Sequence, residues 1–196
     1  MDCAKIGALI AKLRKEKGLT QRDIAEALGV SNKTVSKWEC GMGCADLSYW
    51  SRLSDLLGVD VNQMMEGEIT RNQPDHGDVR RVRFYVCPVC GNILTSTGSA
   101  SLFCCGRKLE PLLPQDQEDV PQVFVDHSDL ESYISVVHPM TKDHYLSFAA
   151  YVKNDKVTLI RLYPEQEAGF RLLTGKGGTL YLYCTKHGLS MYKNLF

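Results

Sequence analysis

Four cysteines near the middle of the chain constrain its fold more than any other feature. Cys87 and Cys90 are separated by two residues in Cys-Pro-Val-Cys-Gly, and Cys104 and Cys105 are adjacent in Cys-Cys-Gly. Two closely spaced thiolate pairs are the usual way to hold one tetrahedral metal ion. The sequence therefore predicts a small metal site at which two turns of the chain face each other.

Length and composition are those of a folded protein. The chain has 196 residues, of which 44% are hydrophobic and 23% charged, and this favours one or two domains rather than disorder. The formal net charge is zero, so DNA affinity requires a local basic patch. Residues 1–39 supply one, with eight basic and five acidic side chains, whereas residues 40–68 are acidic.

The sequence also bears on the cellular compartment. No apolar run approaches the ~20 residues that a membrane span needs, and the first residues lack the apolar core of a signal peptide. We therefore expect a cytoplasmic protein with no membrane partner. Thiols stay reduced in that compartment, so we expect Cys3, Cys40 and Cys44, which have no matching spacing, to be ordinary thiols.

The amino-terminal third has the pattern of short helices. Thr20 and Asp23 form a capping-box pattern, which predicts a second helix that ends at Gly29. A third segment, residues 32–38, follows the capping residue Ser31. A preceding amphipathic helix that ends at Gly18 is predicted from four apolar residues at helical spacing: Ile6, Leu9, Ile10 and Leu13.

A different periodicity follows the helical region. Residues 50–57 and 61–65 predict two further helices, and a polar segment then reads as a linker. Short segments with period-two alternation come next, at residues 82–86, 122–125, 157–160 and 179–183. We therefore expect a multidomain α + β chain: an all-α helix-turn-helix bundle at 1–68, a linker at 69–80, a small thiolate-metal β domain at 81–112 and an immunoglobulin-like β-sandwich at 113–196.

The segment from Leu19 to Ser31, followed by Thr34 to Glu39, resembles the Cro/C1-type (XRE) helix-turn-helix family of transcriptional regulators. The resemblance implies that the third helix enters the major groove of a double-stranded DNA operator. It also implies a homodimer, because paired half-sites add specificity. The alternative is a five-helix interaction domain that does not bind DNA. The implied DNA-contacting residues are Gln21, Asn32, Lys33, Ser36 and Lys37.

The four central cysteines resemble the desulforedoxin family, in which the second thiolate pair is adjacent. The resemblance favours iron at Cys87, Cys90, Cys104 and Cys105, although a tetrathiolate site also binds zinc well. A closed site of this kind either transfers electrons or only stabilises a small domain.

The carboxy-terminal third resembles the superoxide reductase (neelaredoxin) family, and with the preceding cysteines it has the order of a desulfoferrodoxin. The resemblance rests on His138-Pro139, on His144 and on Cys184-Thr185-Lys186-His187. Members hold iron with four histidines and one cysteine. His138, His144, Cys184 and His187 match four of those five ligand positions.

The chain departs from that family at one motif. The family has Lys-His-Val-Pro where this sequence has Glu118-Asp119-Val120-Pro121. Asp119 is either a carboxylate fifth ligand or no ligand, and Glu118 would repel superoxide where the family lysine attracts it. We expect His127 to be an exposed loop residue rather than a ligand.

These patterns leave three hypotheses of function. The first is a transcriptional regulator in which the desulfoferrodoxin-like region senses redox state, superoxide or iron. The second is an enzyme, a superoxide reductase that forms hydrogen peroxide and carries a DNA-binding domain. The third makes both metal sites structural. Because of Glu118 and Asp119, enzymatic activity is uncertain and no catalytic residue is assigned.

Overall fold

The computed structural model describes residues 2–115, 120–127, 131–173 and 177–195. It divides into two units, Met1–Arg71 and Asn72–Phe196. Across the described ranges, no helix has both the length and the apolar character needed to cross a membrane.

The first unit is helical, as predicted. Its helices pack around one apolar core that takes residues from every helix, including Ile10, Ile24, Val35, Leu53 and Met64. Short 3₁₀ turns occur at Leu47–Tyr49 and, in the second unit, at Val79–Arg81. The helices are α1 (Cys3–Glu16), α2 (Gln21–Leu28), α3 (Asn32–Glu39), α4 (Trp50–Leu57) and α5 (Val61–Glu66).

Capping groups set the ends of these helices. The predicted capping box of α2 is confirmed, with the Thr20 hydroxyl and the Asp23 carboxylate each accepting a hydrogen bond from the other's backbone N–H. α1 begins before the apolar stripe, because the Asp2 carboxylate accepts hydrogen bonds from the backbone N–H groups of Ala4 and Lys5. Side-chain caps therefore satisfy N–H groups that a helix terminus leaves without partners.

One expectation about the helical unit is wrong. Cys3 and Cys44 are joined in a disulfide, with their Cα atoms 5.0 Å apart, whereas Cys40 is an exposed free thiol. The bonded cysteines are 41 residues apart in sequence. No local spacing rule connects residues so distant, and the helical packing brings them together.

The second unit is built of antiparallel strands. Two hairpins, β1–β2 and β3–β4, precede a three-stranded sheet of order β5-β6-β9 and a four-stranded sheet of order β11-β10-β7-β8. The strands are β1 (Arg83–Val86), β2 (Ile93–Ser96), β3 (Leu102–Cys104), β4 (Arg107–Leu109), β5 (Gln122–His127), β6 (Ser132–Val137), β7 (Leu146–Lys153), β8 (Lys156–Arg161), β9 (Gly169–Leu172), β10 (Thr179–Cys184) and β11 (Gly188–Lys193).

The two larger sheets form the predicted sandwich. Ile134 of β6 and Phe170 of β9 share a core with Leu180 and Leu182 of β10. His127 closes β5 rather than lying in a loop, and it is exposed, as expected. The predicted fold class is confirmed: a helical region, a small four-cysteine β region and a two-sheet β domain.

Strand β7 is buried on both faces. Leu146 and Ala149 belong to the core between the sheets, whereas Phe148 and Ala150 pack against Phe84 of β1. The Phe84 ring lies 5.5 Å from the Phe148 ring, centroid to centroid. The β1–β2 hairpin, whose turn carries Cys87 and Cys90, is therefore seated on the outer face of the four-stranded sheet.

Candidate functional site

Helix α3 presents its polar residues to solvent. Val35 and Trp38 are buried in the helical core, and Ser31 caps the helix by accepting from the Thr34 N–H at 3.1 Å. The residues predicted to contact DNA on this helix are exposed or, for Ser36, partly exposed: Asn32, Lys33, Ser36 and Lys37. Their accessibility is what contact with a DNA groove requires.

Gln21, the fifth predicted DNA contact, is engaged within the protein. Its side-chain amide donates to the Glu39 carboxylate at 2.8 Å. The same carboxylate accepts two hydrogen bonds from Arg14, at 2.6 and 3.1 Å, and Arg14 also donates to the Leu19 carbonyl. This network joins the end of α1 to the start of α2 and the end of α3, and no pattern in the sequence indicates that Arg14 belongs to it.

The network is electrostatically favourable despite its burial. Burial of the Glu39 carboxyl would raise its pKa, but hydrogen bonds from Arg14 and Gln21 outweigh that effect and lower the pKa. The hydrogen bond to Glu39 raises the pKa of Arg14. Both groups stay charged at neutral pH, and the bidentate pair fixes the position of α3.

The first metal-ligand group, here called the thiolate cluster, consists of Cys87, Cys90, Cys104 and Cys105, whose sulfurs lie within 4.8 Å of one another. Cys87 directly follows β1 and is buried. Its N–H donates to the Asn92 carbonyl at 2.9 Å, and its carbonyl accepts from the Gly91 N–H at 2.9 Å. These bonds close the first turn.

The second turn of the thiolate cluster is a two-residue hairpin loop. Cys104 pairs with Arg107, so Cys105 and Gly106 form the loop, and both have positive φ, at 49° and 72°. Glycine tolerates this conformation, whereas a side chain at the first position is disfavoured. Because a side chain is disfavoured at this position, the presence of cysteine indicates that its sulfur is needed there, as it would be for binding a metal ion.

The cysteines of the thiolate cluster differ in the pKa of their thiols. The backbone N–H of Cys90, followed by that of Val89, lowers the pKa of Cys87 to about 6 against the opposing effect of burial. Hydrogen bonding with the Cys90 and Cys87 sulfurs raises the pKa of Cys105 to about 12. A bound cation would favour the thiolate form of Cys105, because thiolates rather than thiols are metal ligands. The donor set therefore fits a tetrahedral metal ion.

The second ligand group, here called the histidine cluster, consists of His138, His144, Cys184 and His187, whose ligand atoms also lie within 4.8 Å of one another. His138 directly follows β6, and Cys184 ends β10. The distance from His138 Nε2 to Cys184 Sγ is 3.2 Å. The sheets thus bring together four of the five predicted ligands of the second site.

Two hydrogen bonds between Tyr145 and Thr185 hold the loops of the histidine cluster together. The Tyr145 N–H donates to Thr185 Oγ1 at 3.2 Å, and the Thr185 N–H donates to the Tyr145 carbonyl at 3.0 Å. Because Tyr145 follows His144 and Thr185 follows Cys184, these bonds fix an imidazole beside the thiol. Thr185 is a supporting residue that the ligand motif alone did not indicate.

Two imidazole nitrogens of the histidine cluster are buried without a hydrogen-bond partner among the described residues and could bind a metal ion. They are His138 Nδ1 and His144 Nε2. Burial lowers the pKa of both imidazoles, and the neighbouring histidines lower it further. Neutral imidazole is the metal-binding form.

The Cys184 sulfur has its own support. It accepts hydrogen bonds from the backbone N–H groups of Lys186 and His187, each at 3.4 Å. Cys184 is buried, whereas His187 is exposed, so one side of the histidine cluster faces solvent. The donors, three imidazoles and one thiol, fit a transition-metal ion.

Asp119, the predicted fifth ligand, and Glu118, which stands at the lysine position of the related family, lie outside the described residues. The chain on either side of them is described. The Gln115 N–H donates to the Leu189 carbonyl at 2.8 Å, and the Pro121 carbonyl accepts from the Tyr192 hydroxyl at 2.6 Å.

Comparison with known proteins finds relatives for both units. The family described as Helix-turn-helix matches residues 10–63. The ImmF control region 10 kDa protein of Bacillus phage phi105 is 39% identical over 69 residues, 35% of this chain and 77% of the phage protein.

The remaining part of the chain is similar to desulfoferrodoxins. The desulfoferrodoxin of Desulfarculus baarsii is 30% identical over 119 residues, which is 55% of this chain and 93% of that protein. The desulfoferrodoxin homolog of Archaeoglobus fulgidus is 28% identical over 118 residues, 55% of this chain and 94% of that protein. Among solved structures, the superoxide reductase from Treponema pallidum aligns at 17% identity with a TM-score of 0.49, over 57% of this chain and 97% of that chain.

Proposed function

The chain belongs to the helix-turn-helix family in its amino-terminal part and to the desulfoferrodoxin family in the remainder, and from this premise we propose that it is a transcriptional regulator whose operator affinity depends on the metal or redox state of its two clusters. The observation that carries the proposal is the presence of two metal-ligand clusters in a chain whose other unit exposes a helix for DNA contact. Such a chain contains both a DNA-binding element and groups that respond to oxidation.

Iron is the proposed ion at both clusters, with zinc as the alternative at the thiolate cluster. Cys87, Cys90, Cys104 and Cys105 would hold the first ion, and His138, His144, Cys184 and His187 the second. Bound iron would supply one-electron redox chemistry and visible absorption. The backbone N–H groups that donate to the sulfurs of Cys87 and Cys184 would favour the thiolate form of each ligand.

Asp119 is the proposed fifth ligand of the histidine cluster. Support comes from Gln115, whose backbone is bonded to Leu189, two residues from His187. Changing Asp119 to Ala should weaken metal binding at the histidine cluster, and changing it to His should strengthen it. Equal metal content in all three proteins would reject Asp119 as a ligand.

We further propose that the chain acts as a homodimer in the cytoplasm, where its operator lies. Support for the dimer comes from general DNA-recognition geometry, since two recognition helices must meet two half-sites for high specificity. Sedimentation of the chain with and without operator DNA tests this.

The DNA-binding face is tested by charge removal. Changing both Lys33 and Lys37 to Ala should weaken operator binding at least about tenfold. It should also lower the slope of log affinity against log salt by the equivalent of about two phosphate contacts. A matched variant, Lys156→Ala with Lys193→Ala, removes the same charge from exposed residues of the second unit and should bind normally. Equal affinity of both double variants would exclude α3 from the interface.

The sensing role is tested by changing the state of the metal. Operator affinity should differ between the iron-loaded reduced protein, the iron-loaded oxidised protein and the metal-free protein. If all three affinities agree, the clusters do not regulate DNA binding, whatever metal they hold.

A second candidate function is superoxide reduction, favoured by the exposed side of the histidine cluster at His187. The acidic Glu118, where the related family has a lysine, argues against an efficient reaction with an anion. In the presence of a one-electron reductant that supplies one electron per superoxide, superoxide consumption with one hydrogen peroxide formed per superoxide should rise in Glu118→Lys if the reaction is real. No consumption by either protein would leave the regulatory function alone.

A further inference from the structure

The disulfide between Cys3 and Cys44 lies at the edge of the DNA-binding element. Cys3 is the first residue of α1, and Cys44 lies in the segment between α3 and the 3₁₀ turn. Both residues are partly exposed, so small oxidants and reductants can reach them. This pair belongs to neither metal-ligand cluster.

The disulfide closes a covalent loop around the helices that matter for DNA binding. The 41-residue separation contains α1, α2 and α3, and therefore the exposed residues Lys33 and Lys37. A cross-link placed here acts on the conformational freedom of the whole element, because it restricts the loop that contains it.

The backbones beside the cross-link are in close contact. A Cβ atom on Gly7 of α1 would overlap the carbonyl oxygen of Trp38 in α3. A Cβ on Gly41, whose φ is +71°, would come within 2.9 Å of the Ala4 Cα. The end of α3 and the start of α1 thus form one tightly packed seam.

The segment after α3, residues 40–46, is described throughout and has no helix or strand, although Ala45 is buried in the helical core. The Gly41 and Met42 N–H groups donate to the carbonyls of Trp38 and Lys37, and the next helical turn begins at Leu47. Met42 and Leu47 are largely exposed, at 71% and 68%. The bond from Cys44 to Cys3 is therefore the covalent attachment of this segment to α1.

We infer that Cys3 and Cys44 form a reversible dithiol–disulfide pair that responds to peroxide and adjusts DNA affinity through the seam between α1 and α3. The inference rests on the proposed DNA-binding function. A chain that binds DNA works in a compartment where thiols are kept reduced. A disulfide at this seam is then a state that oxidation creates and a dithiol reductant removes.

The oxidation balances with hydrogen peroxide as the named oxidant. One thiolate attacks a peroxide oxygen, the O–O bond breaks, and a sulfenic acid and hydroxide form; the hydroxide takes up the thiol proton as water. The second thiol then attacks the sulfenic sulfur, the S–S bond forms, the S–O bond breaks and a second water leaves. Two thiols lose two electrons in total, and one peroxide gains them.

The direction of the effect follows from the geometry. The oxidised pair holds the segment after α3 against α1, so α3 is pre-positioned for the groove and less ordering remains to be done on binding. Reduction removes this covalent link, leaves the segment held by packing alone and weakens DNA binding by about fivefold or more, the lower end of typical coupling between sites.

The experiment uses the full chain and a duplex selected from a randomised DNA pool by the oxidised protein. Affinity for that duplex and the melting temperature of the helical unit are measured after peroxide and after a dithiol reductant. Oxidised wild type should bind more tightly than reduced wild type and melt about 10 °C higher or more. Mass spectrometry of the protein after thiol alkylation identifies the Cys3–Cys44 bond in each state.

Two variants separate this pair from the metal clusters. Cys3→Ser leaves both clusters intact and should bind and melt like the reduced wild type under all conditions. Cys40→Ser removes an exposed thiol that belongs neither to the pair nor to a metal-ligand cluster and should keep the full response. Equal affinity of oxidised and reduced wild type, or an unchanged response in Cys3→Ser, overturns the proposed role.

Failure of the DNA-binding function would look different. The wild type would then select no duplex in either state, although the melting temperature would still shift with oxidation and the shift would be lost in Cys3→Ser. That result rejects the coupling to DNA. Failure to form the Cys3–Cys44 bond with peroxide rejects the redox pair itself.

Discussion

The thiolate cluster and the histidine cluster reach similar ligand spacings by different routes. The thiolates come from two short turns within residues 87–105, next to a small core that includes Tyr85 and Leu109. The histidine cluster draws ligands from His138 to His187 at the end of a two-sheet sandwich with a larger core. One cluster is made by local turns, and the other is made by tertiary structure.

This difference predicts different dependence on metal. A small cysteine-bearing module cannot bury enough apolar surface to be stable alone, so metal binding supplies much of its folding free energy. The sandwich has its own core and should persist without metal. The comparison therefore predicts that metal removal unfolds the turns of the thiolate cluster and leaves the strands around the histidine cluster in place.

The largest expected effect follows from Cys87→Ser. Loss of the buried thiolate should release the first metal and with it metal-binding free energy on the order of 10 kcal/mol. Metal-to-protein ratio and amide hydrogen exchange of residues 83–109 report the loss, while Cys40→Ser serves as the matched control. Retention of the first metal would mean that the other three cysteines suffice.

His144→Ala should empty the histidine cluster without unfolding the sandwich. Removal of an imidazole ligand should weaken metal binding by more than the roughly 10–100-fold typical of outer-shell changes. Metal titration measures the affinity, and circular dichroism of the metal-free variant checks the strands. Cooperative unfolding of the sandwich in this variant would contradict the distinction between the clusters.

In the helical unit, the buried charge of Glu39 is neutralised by another side chain rather than by a metal ion. Glu39→Gln breaks the buried pair with Arg14 and should cost about 3 kcal/mol at neutral pH. Hydrogen bonding lowers the pKa of Glu39, so its stabilisation is complete above about pH 4.3 and is lost as the pH falls through the lower folded value. Thermal unfolding of wild type and variant should converge in acid; a constant difference down to pH 2 would argue against the ionic pair.

The smallest effect concerns the hydrogen bonds between Tyr145 and Thr185 beside the histidine cluster. Thr185→Val removes the hydroxyl that accepts the Tyr145 N–H and should weaken metal binding there about tenfold. Thr158→Val, on an exposed position of β8, is the matched control. A titration that finds equal affinity in the two variants would show that the backbone bond between Thr185 and Tyr145 holds the loops by itself.

Features made by residues close together in the chain could be predicted from the sequence. The thiolate cluster and the capping box of α2 depend on residues close in the chain, so their spacing is informative on its own. His138 and Cys184 are 46 residues apart, and only their resemblance to a known family linked them. The exposed face of α3 followed directly from its helical periodicity.

Contacts between distant segments were not predictable in this way. The Cys3–Cys44 disulfide and the Arg14–Glu39 pair arise because α1 packs against α3, and no local pattern specifies which partners meet. The seating of Phe84 on β7 has the same origin. Asp119 remains a prediction from the sequence alone.

Regulation of DNA binding by the two clusters is tested by operator affinity measured on one preparation of iron-loaded protein, reduced and oxidised in turn, and again after iron removal. Cys3→Ser is used so that the Cys3–Cys44 disulfide cannot form and its redox state cannot contribute to the difference. If the clusters regulate DNA binding, the affinities should differ by about fivefold or more between at least two of the states. Identical affinities in all three states, with iron content verified, would contradict the claim that the desulfoferrodoxin-like region controls DNA binding.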